Sequence, residues 1–234
     1  MTAIKDSVAL VTGGSRGLGK ALVDELYARG AAKVYATARD PRTVTHPDAV
    51  PLALEVTDPA SVEAAAAQAQ DVTLLVNNAG VSLGATSFLD ADLDVVRREF
   101  EANFYGPLLV TRAFAPLIEL GGGGHLLNVH SVLSWLGVAG SYSATKAALW
   151  SQTNSLRLEL RSRGIAVTGL HVGYIDTDMT AAVDAPKSTP RAVAALALDG
   201  VESGAHEVLA DDITRSVKAG LSGDLAALYP QLAG

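Results

Sequence analysis

The chain contains no cysteine, which excludes disulfides and thiolate sites and suits a reducing compartment. It lacks any excess of positive charge: the formal net charge is −7. That balance argues against a nucleic-acid backbone as partner, which would favour a basic face. No run of about 18 purely apolar residues occurs, so no membrane span is expected. The opening MTAIKDSVALVT leaves only about five residues before the first strand-like run, too few for a signal peptide. The five histidines have no metal-ligand spacing, and no metal site is expected. A cytoplasmic location is expected from these signals together.

What is present is a globular composition, with 49% hydrophobic and 18% charged residues, long enough to bury a sizeable core. No break in composition and no internal repeat divides the sequence, so residues 1–234 read as a single domain. Short β-branched runs alternate with helical stretches. Strands are expected at Ser7–Thr12, Lys33–Thr37, Pro51–Leu54, Leu74–Asn77, His125–Val129, Ile165–Val172 and Glu207–Ala210. Helices are expected at Gly17–Arg29, Pro59–Gln70, Asp92–Leu120, Tyr142–Arg163 and Pro190–Gly200, with a further one at Asp212–Ala219. Near-continuous apolar strands in a βαβα rhythm imply an α/β fold with a mostly parallel sheet of about seven strands, covered on both faces. The proline-rich Asp40–Val50 predicts a reduced helix between the second and third strands.

The stretch VTGGSRGLGK, Val11 to Lys20, has two readings. Gly13-Gly14-Ser15-Arg16-Gly17 spells the G-x-S-x-G nucleophile elbow of serine hydrolases. Thr12 to Gly19 also spells T-G-x-x-x-G-x-G, a glycine loop. The hydrolase elbow follows several earlier strands, whereas this motif follows the first. Gly19 adds what an elbow does not require. Three glycines at spacings of four and two let the backbone turn tightly, approach a pyrophosphate and pack helix against strand. The helix N-terminus then presents free N–H groups and its positive dipole end to phosphate. The phosphate cradle is the better reading.

Four further elements occur in order along the chain. Asn77-Asn78-Ala79-Gly80 closes the fourth strand, and Asn103 sits within a long helix. Ser131 follows the fifth strand, and Tyr142-Ser143-Ala144-Thr145-Lys146 opens the next helix. With Thr12–Gly19, these elements make the sequence resemble the short-chain dehydrogenase/reductase family, single-domain subgroup, over essentially its whole length. The resemblance implies a Rossmann-type, doubly wound fold and an oxidoreductase that interconverts a carbonyl and its alcohol by hydride transfer.

Reducing a ketone requires a hydride at carbon and a proton at oxygen. A tyrosine hydroxyl, with an ordinary pKa near 10, exchanges protons poorly at neutral pH. Lys146 lies four residues on, on the same helix face, and its charge, with that of the oxidised nicotinamide, should lower the pKa of Tyr142. Ser131 can donate to the substrate oxygen as negative charge develops there. The resemblance makes Tyr142 the general acid/base, lets Lys146 also bond the nicotinamide ribose, and has Asn103 hold a proton-relaying water. It assigns the cofactor to Gly13, Ser15, Arg16, Gly17, Leu18 and Gly19, to Glu55-Val56 on the adenine side, to Asn77, Ala79 and Gly80, and to Gly173, Ile175 and Thr177. Glu55-Val56 stands where the family carries an Asp, Val172-Gly173 where it often has Pro-Gly, and the loop from Ser131 to Tyr142 is short.

NAD-selective sites place an acid about 20 positions beyond the glycine loop to bind both ribose hydroxyls. Here Ala36-Thr37-Ala38 is followed by Arg39, which can hold a 2′-phosphate bidentately, with Arg16 approaching from the other side. NADP(H) is therefore expected over NAD(H). The resemblance places the substrate beside Leu83, Leu133, Trp135 and Tyr174. These offer no cationic clamp, so an uncharged, fairly apolar ketone or aldehyde is expected. The two long helices carry more apolar surface than one sheet face should cover, which predicts a homodimer or homotetramer. The alternative to an enzyme is a non-catalytic NADP(H)-binding sensor, which would have no need of Asn103, Ser131, Tyr142 and Lys146.

Overall fold

The computed structural model describes residues 2–232. Seven parallel strands form one sheet in the order β3-β2-β1-β4-β5-β6-β7. They are β1 (Val8–Val11), β2 (Lys33–Ala38), β3 (Val50–Ala53), β4 (Leu74–Asn77), β5 (Gly124–Val129), β6 (Ile165–His171) and β7 (Glu207–Leu209). The expected strands are all present, with every end within one residue of the expected position. Side chains alternate between two cores, as the pleat requires. Ala9, Val11, Leu74, Val76 and Leu127 pack on one face with α1 (Gly17–Ala28) and α6 (Pro190–Ser203). Leu10, Leu75 and Leu126 pack on the other, against Val62 of α2 (Pro59–Gln68), Phe114 of α4 (Gly106–Leu120) and Leu156 of α5 (Gly140–Glu159). Burial on both faces explains why these strands read as continuous apolar runs.

The stretch between β2 and β3 contributes only a 3-10 turn at Pro41–Thr43. The expected helix Asp92–Leu120 is not uniform. It consists of α3 (Leu93–Phe100), a wide π turn at Glu101–Tyr105 and then α4. Such turns re-register the helical ladder and often accompany functional sites; here Asn103 lies within it. Helix α5 starts two residues earlier than expected, at Gly140, whose left-handed φ of 52° and bare Cα let the Ala85–Thr86 backbone pass closely. It ends at Glu159, with Arg161–Arg163 in a 3-10 turn. The C-terminal part adds α7 (Asp212–Gly220) and the short α8 (Leu225–Leu228). Among the described residues, no helix is long and apolar enough to cross a membrane.

Candidate active site

The strand order reverses between β1 and β4, and in sheets of this kind the crevice at their carboxyl ends is where ligands bind. The glycine loop leaves β1 there, and Asn78–Gly80 leaves β4 beside it. Thr12 ties the two together: its hydroxyl accepts from the backbone N–H of Asn78 (2.9 Å) and Ala79 (3.0 Å). The Asn78 amide returns bonds to the carbonyls of Thr12 and Gly13. Gly13 and Gly17 adopt left-handed φ values of 65° and 53°, which only glycine takes without strain. A Cβ on Gly19 would overlap the Gly13 carbonyl oxygen, so α1 closes on the loop only because that position is bare. Helix α1 starts with no side-chain cap and no acid in its first turn. Its first N–H groups and positive dipole end therefore face the loop. Leu18 is buried in the core, and Ser15 lies half-buried in the turn.

The remaining predicted cofactor residues surround this loop unevenly. Arg39 is exposed just past β2. The adjacent Asp40 is engaged by the backbone N–H and guanidinium of Arg42, which holds its carboxyl below the ordinary value. Arg16 reaches across to Asp178 at 3.2 Å, both side chains well exposed. Thr177 comes within 3.2 Å of where a Gly17 Cβ would stand, so the segment after β6 folds over the glycine loop. Ile175 anchors that segment by a parallel bridge to Ser188, and the Gly173 N–H donates to Asp211 (2.7 Å). Glu55 bonds to its neighbour Thr57, and Val56 packs toward Gly106. The Asn77 side chain turns away from the loop. It is buried and donates to Asn128 (2.9 Å) and Thr111 (3.0 Å), so it braces β4 against β5 and α4.

Tyr142 and Lys146 stand one turn apart on α5, and Ser131 stands at the end of β5. Lys146 is buried and donates to the Val129 carbonyl (2.9 Å), with its ammonium 5.8 Å from the Tyr142 ring centroid. Ser131 and Ser134 cap the intervening 3-10 turn reciprocally. The Ser131 hydroxyl accepts from the Leu133 N–H (3.2 Å), and the Ser134 hydroxyl accepts from the Ser131 N–H (3.4 Å). Gly80 faces Asn103 Oδ1 and Lys146 Nζ, which brings the ends of β4, the π turn and α5 to one place.

Two of these residues are packed more tightly than the sequence suggested. Lys146 does not lower the Tyr142 pKa in the protein alone. Burial pushes the phenol up to about 12, the buried Glu99 carboxylate adding to it, and burial pulls Lys146 down to about 8. Desolvation disfavours the charged form of each group. Asn103 is fully buried with both amide hydrogens committed, to the Val81 carbonyl (2.8 Å) and the Thr145 hydroxyl (3.1 Å), while its Oδ1 accepts from the Val81 N–H. Its side chain thus works as a brace between the post-β4 loop and α5.

The predicted pocket residues separate into two groups. Leu83 and Tyr174 are exposed beside the site, and Leu133 is half-buried. Trp135 instead belongs to a packed satellite core with Val132 and Val217. Its indole stacks on His171 (4.1 Å between centroids), which stacks on His130 (4.6 Å), and the Lys218 ammonium sits 4.8 Å from its centroid. Trp135 is therefore corrected from pocket wall to core: α7 covers that side of the loop. Burial lowers the pKa of both histidines and keeps them neutral. The hydrolase reading also fails on geometry. His125 bonds to Thr2 and Thr168, His46 accepts from the Asp48 N–H, His130 and His171 lie in the stack, and His206 is exposed just before β7; among the described residues none is bonded to Ser15.

One residue was missed. Glu99 on α3 is fully buried, accepting from the Leu83 N–H (2.5 Å) and from the Ser141 hydroxyl. A lone acid on a polar helical stretch gives no signal in sequence; only the packing of α3 against α5 turns it inward.

The fold and this cleft define the class, a Rossmann-type α/β protein with a dinucleotide crevice at its switch point. A family model described as short chain dehydrogenase matches residues 7–188, and the chain belongs to that family. It is 36% identical over 188 residues to the 3-oxoacyl-[acyl-carrier-protein] reductase FabG of Salmonella typhimurium, covering 75% of this chain and 76% of that one. It superimposes with a TM-score of 0.93 and 36% identity on a Burkholderia cenocepacia short chain dehydrogenase in complex with NADP, all of both chains being covered. An NADPH-bound carbonyl reductase from chicken fatty liver matches with a TM-score of 0.78 and 28% identity, over 88% of this chain and 98% of that one.

Proposed function

We propose that this protein is an NADP-dependent oxidoreductase that reduces an uncharged, fairly apolar ketone or aldehyde, or oxidises the corresponding alcohol. The observation that carries the reading is the convergence of Ser131, Tyr142 and Lys146 with the glycine cradle at one crevice. The cradle fits a pyrophosphate: left-handed glycines, an uncapped helix N-terminus and the bare Gly19 leave room for a backbone approach. When bound, the nicotinamide supplies the hydride.

The chain's own residues do the rest. Ser131 donates to the carbonyl oxygen, stabilising the charge that develops on it. Tyr142 delivers the proton to that oxygen, and its elevated pKa keeps it protonated for reduction. Lys146, held at the Val129 carbonyl, presents its ammonium to the ribose hydroxyls. Arg39 and Arg16 favour the 2′-phosphate, since Asp40 is already engaged by Arg42. The relative solved with NADP and the one bound to NADPH support that choice. Exposed Leu120 on α4 and Leu158 on α5 support self-association through these helices.

The test is NADPH oxidation with cyclohexanone, acetophenone, ethyl acetoacetate and a 3-oxoacyl thioester, the last because several relatives bear that activity in their names. Turnover of the simple ketones is expected. Tyr142→Phe, which removes only the proton-bearing oxygen, should keep NADPH affinity and lose at least about 100-fold in kcat. Tight NADPH binding without turnover on any of these would favour a sensor instead.

A further inference from the structure

Burying a carboxylate costs several kcal/mol unless donors compensate it, and Glu99 is wholly buried. It spends one oxygen on the Leu83 N–H and the other on the Ser141 hydroxyl. The two partners belong to different walls of the cleft. Leu83 lies in the loop after β4, exposed beside the proposed substrate position, whereas Ser141 immediately precedes Tyr142 on α5. The clamp is reinforced at Ala85, whose carbonyl accepts from the Ser141 N–H (3.1 Å), and at Gly140, whose left-handed turn lets the Ala85–Thr86 backbone pass within contact. Three elements are thus zipped together around one acid that the catalytic reading does not use.

We propose that Glu99 is a positioning residue: it fixes the Leu83 wall to the first turn of α5 and so sets how a substrate seated there meets Tyr142. The inference rests on the proposed reading of Tyr142 as proton donor. The charged groups that face Tyr142 are Glu99 from α3 and Lys146 from its own helix. The Glu99 charge adds to burial in holding the phenol protonated. It therefore widens the pH range in which reduction proceeds and narrows that of alcohol oxidation, which requires the phenolate; the overall equilibrium is unchanged.

Acetophenone reduction and 1-phenylethanol oxidation, with NADPH affinity measured by nucleotide fluorescence, test this. Glu99→Ala should raise the acetophenone KM at least about tenfold, the worth of one buried hydrogen bond, with NADPH affinity unchanged. Glu99→Gln should bring KM back to near the wild-type value, because an amide can accept from Leu83 and donate to the Ser141 oxygen. It should also move the acidic limb of the oxidation profile to lower pH. If Glu99→Ala does not fold, Ser141→Ala carries the same test, with a smaller rise in KM. A wild-type KM in Glu99→Ala, or a Glu99→Gln enzyme whose KM stays as high as that of Glu99→Ala, overturns the clamp. An unmoved limb in Glu99→Gln overturns the influence of its charge. Tyr142→Phe in the same assay separates the two readings. If it turns over like wild type, the proton-donor reading has failed; if it is dead while Glu99→Ala behaves as wild type, only the role of Glu99 has.

Discussion

The two halves of the crevice are held by different kinds of physics. On the cofactor side the shape is made by backbone: left-handed glycines, a bare Gly19, and Thr12 bonded to main-chain N–H groups. On the substrate side it is made by buried polar side chains: Glu99 and Asn103 bridge separate elements, and Ser131 and Ser134 cap one turn. Backbone shape leaves a spacing in the sequence, because only glycine tolerates the positions concerned. A buried side-chain clamp leaves none, since its partners lie far apart along the chain. The first half should be sensitive to added volume and the second to lost hydrogen bonds.

The largest effect should come from breaking the backbone side. Gly19→Ala places a Cβ against the Gly13 carbonyl and 2.6 Å from the Asn78 amide nitrogen. Neither can retreat without losing the Thr12–Asn78 bonds, so a loss of about 3 kcal/mol or more and of NADPH binding is expected. Thermal unfolding and nucleotide titration measure both. Unaltered binding would mean that the loop is less tightly packed than its geometry implies.

Acid should act through buried histidines that have no counterpart in the glycine loop. His125, His130 and His171 all have lowered pKa values, His125 to about 4. The unfolded chain takes up their protons below about pH 6.5, while the folded chain does not. Stability is therefore fully present above that pH and falls as pH drops toward 4. For His125 alone the loss reaches about 3 kcal/mol by then. Melting temperatures from pH 7.5 to 4.5 should show the decline, and a flat profile would contradict neutral burial.

What could be read in advance follows the same division. The strand order was not readable, but its ingredients were: seven apolar runs, and the Thr12–Gly19 and Asn77–Gly80 segments that meet at the switch point. Ser131, Tyr142 and Lys146 could be placed in advance, after β5 and in the first turns of α5, because they sit at fixed positions relative to strands and helix starts. Glu99 and the brace made by Asn103 were not, because they depend on how α3 and the π turn at Glu101–Tyr105 rotate side chains toward α5. A π turn has no composition of its own. Trp135 was misplaced because an apolar residue in a short loop looks the same whether it faces a cleft or α7.

A middle-sized effect separates the two serines of the capped turn. Ser131→Ala should cost roughly 100-fold in kcat, the scale of one oxyanion donor. Ser134→Ala removes only the acceptor of the Ser131 N–H, at 3.4 Å, and should cost far less. The reverse ranking would make Ser134 the donor and shift the register of the loop.

The smallest effect concerns the outer edge of the backbone side, where the contacts are again side chains but exposed ones. Arg39 is exposed just past β2, and Arg16 is shared with Asp178, the side chains of that pair being well exposed. A charge-assisted bond can contribute about 1.5–3 kcal/mol, but exposed pairs are screened and contribute nearer to 1. The preference for NADP over NAD should therefore be about tenfold to 100-fold in kcat/KM rather than absolute. Ala38→Asp with Arg39→Leu removes one cation and adds an acceptor for the ribose hydroxyls at the end of β2. The preference should then cross over to NAD, mainly through KM if the 2′-phosphate is held equally in ground and transition states. A companion Asp178→Ala variant frees Arg16 and should strengthen NADP binding by a few-fold. Comparing kcat/KM for both cofactors across these variants decides the matter. A wild type that already prefers NAD would overturn the assignment and turn attention to Asp40, whose bond to Arg42 would then have to open when the cofactor binds.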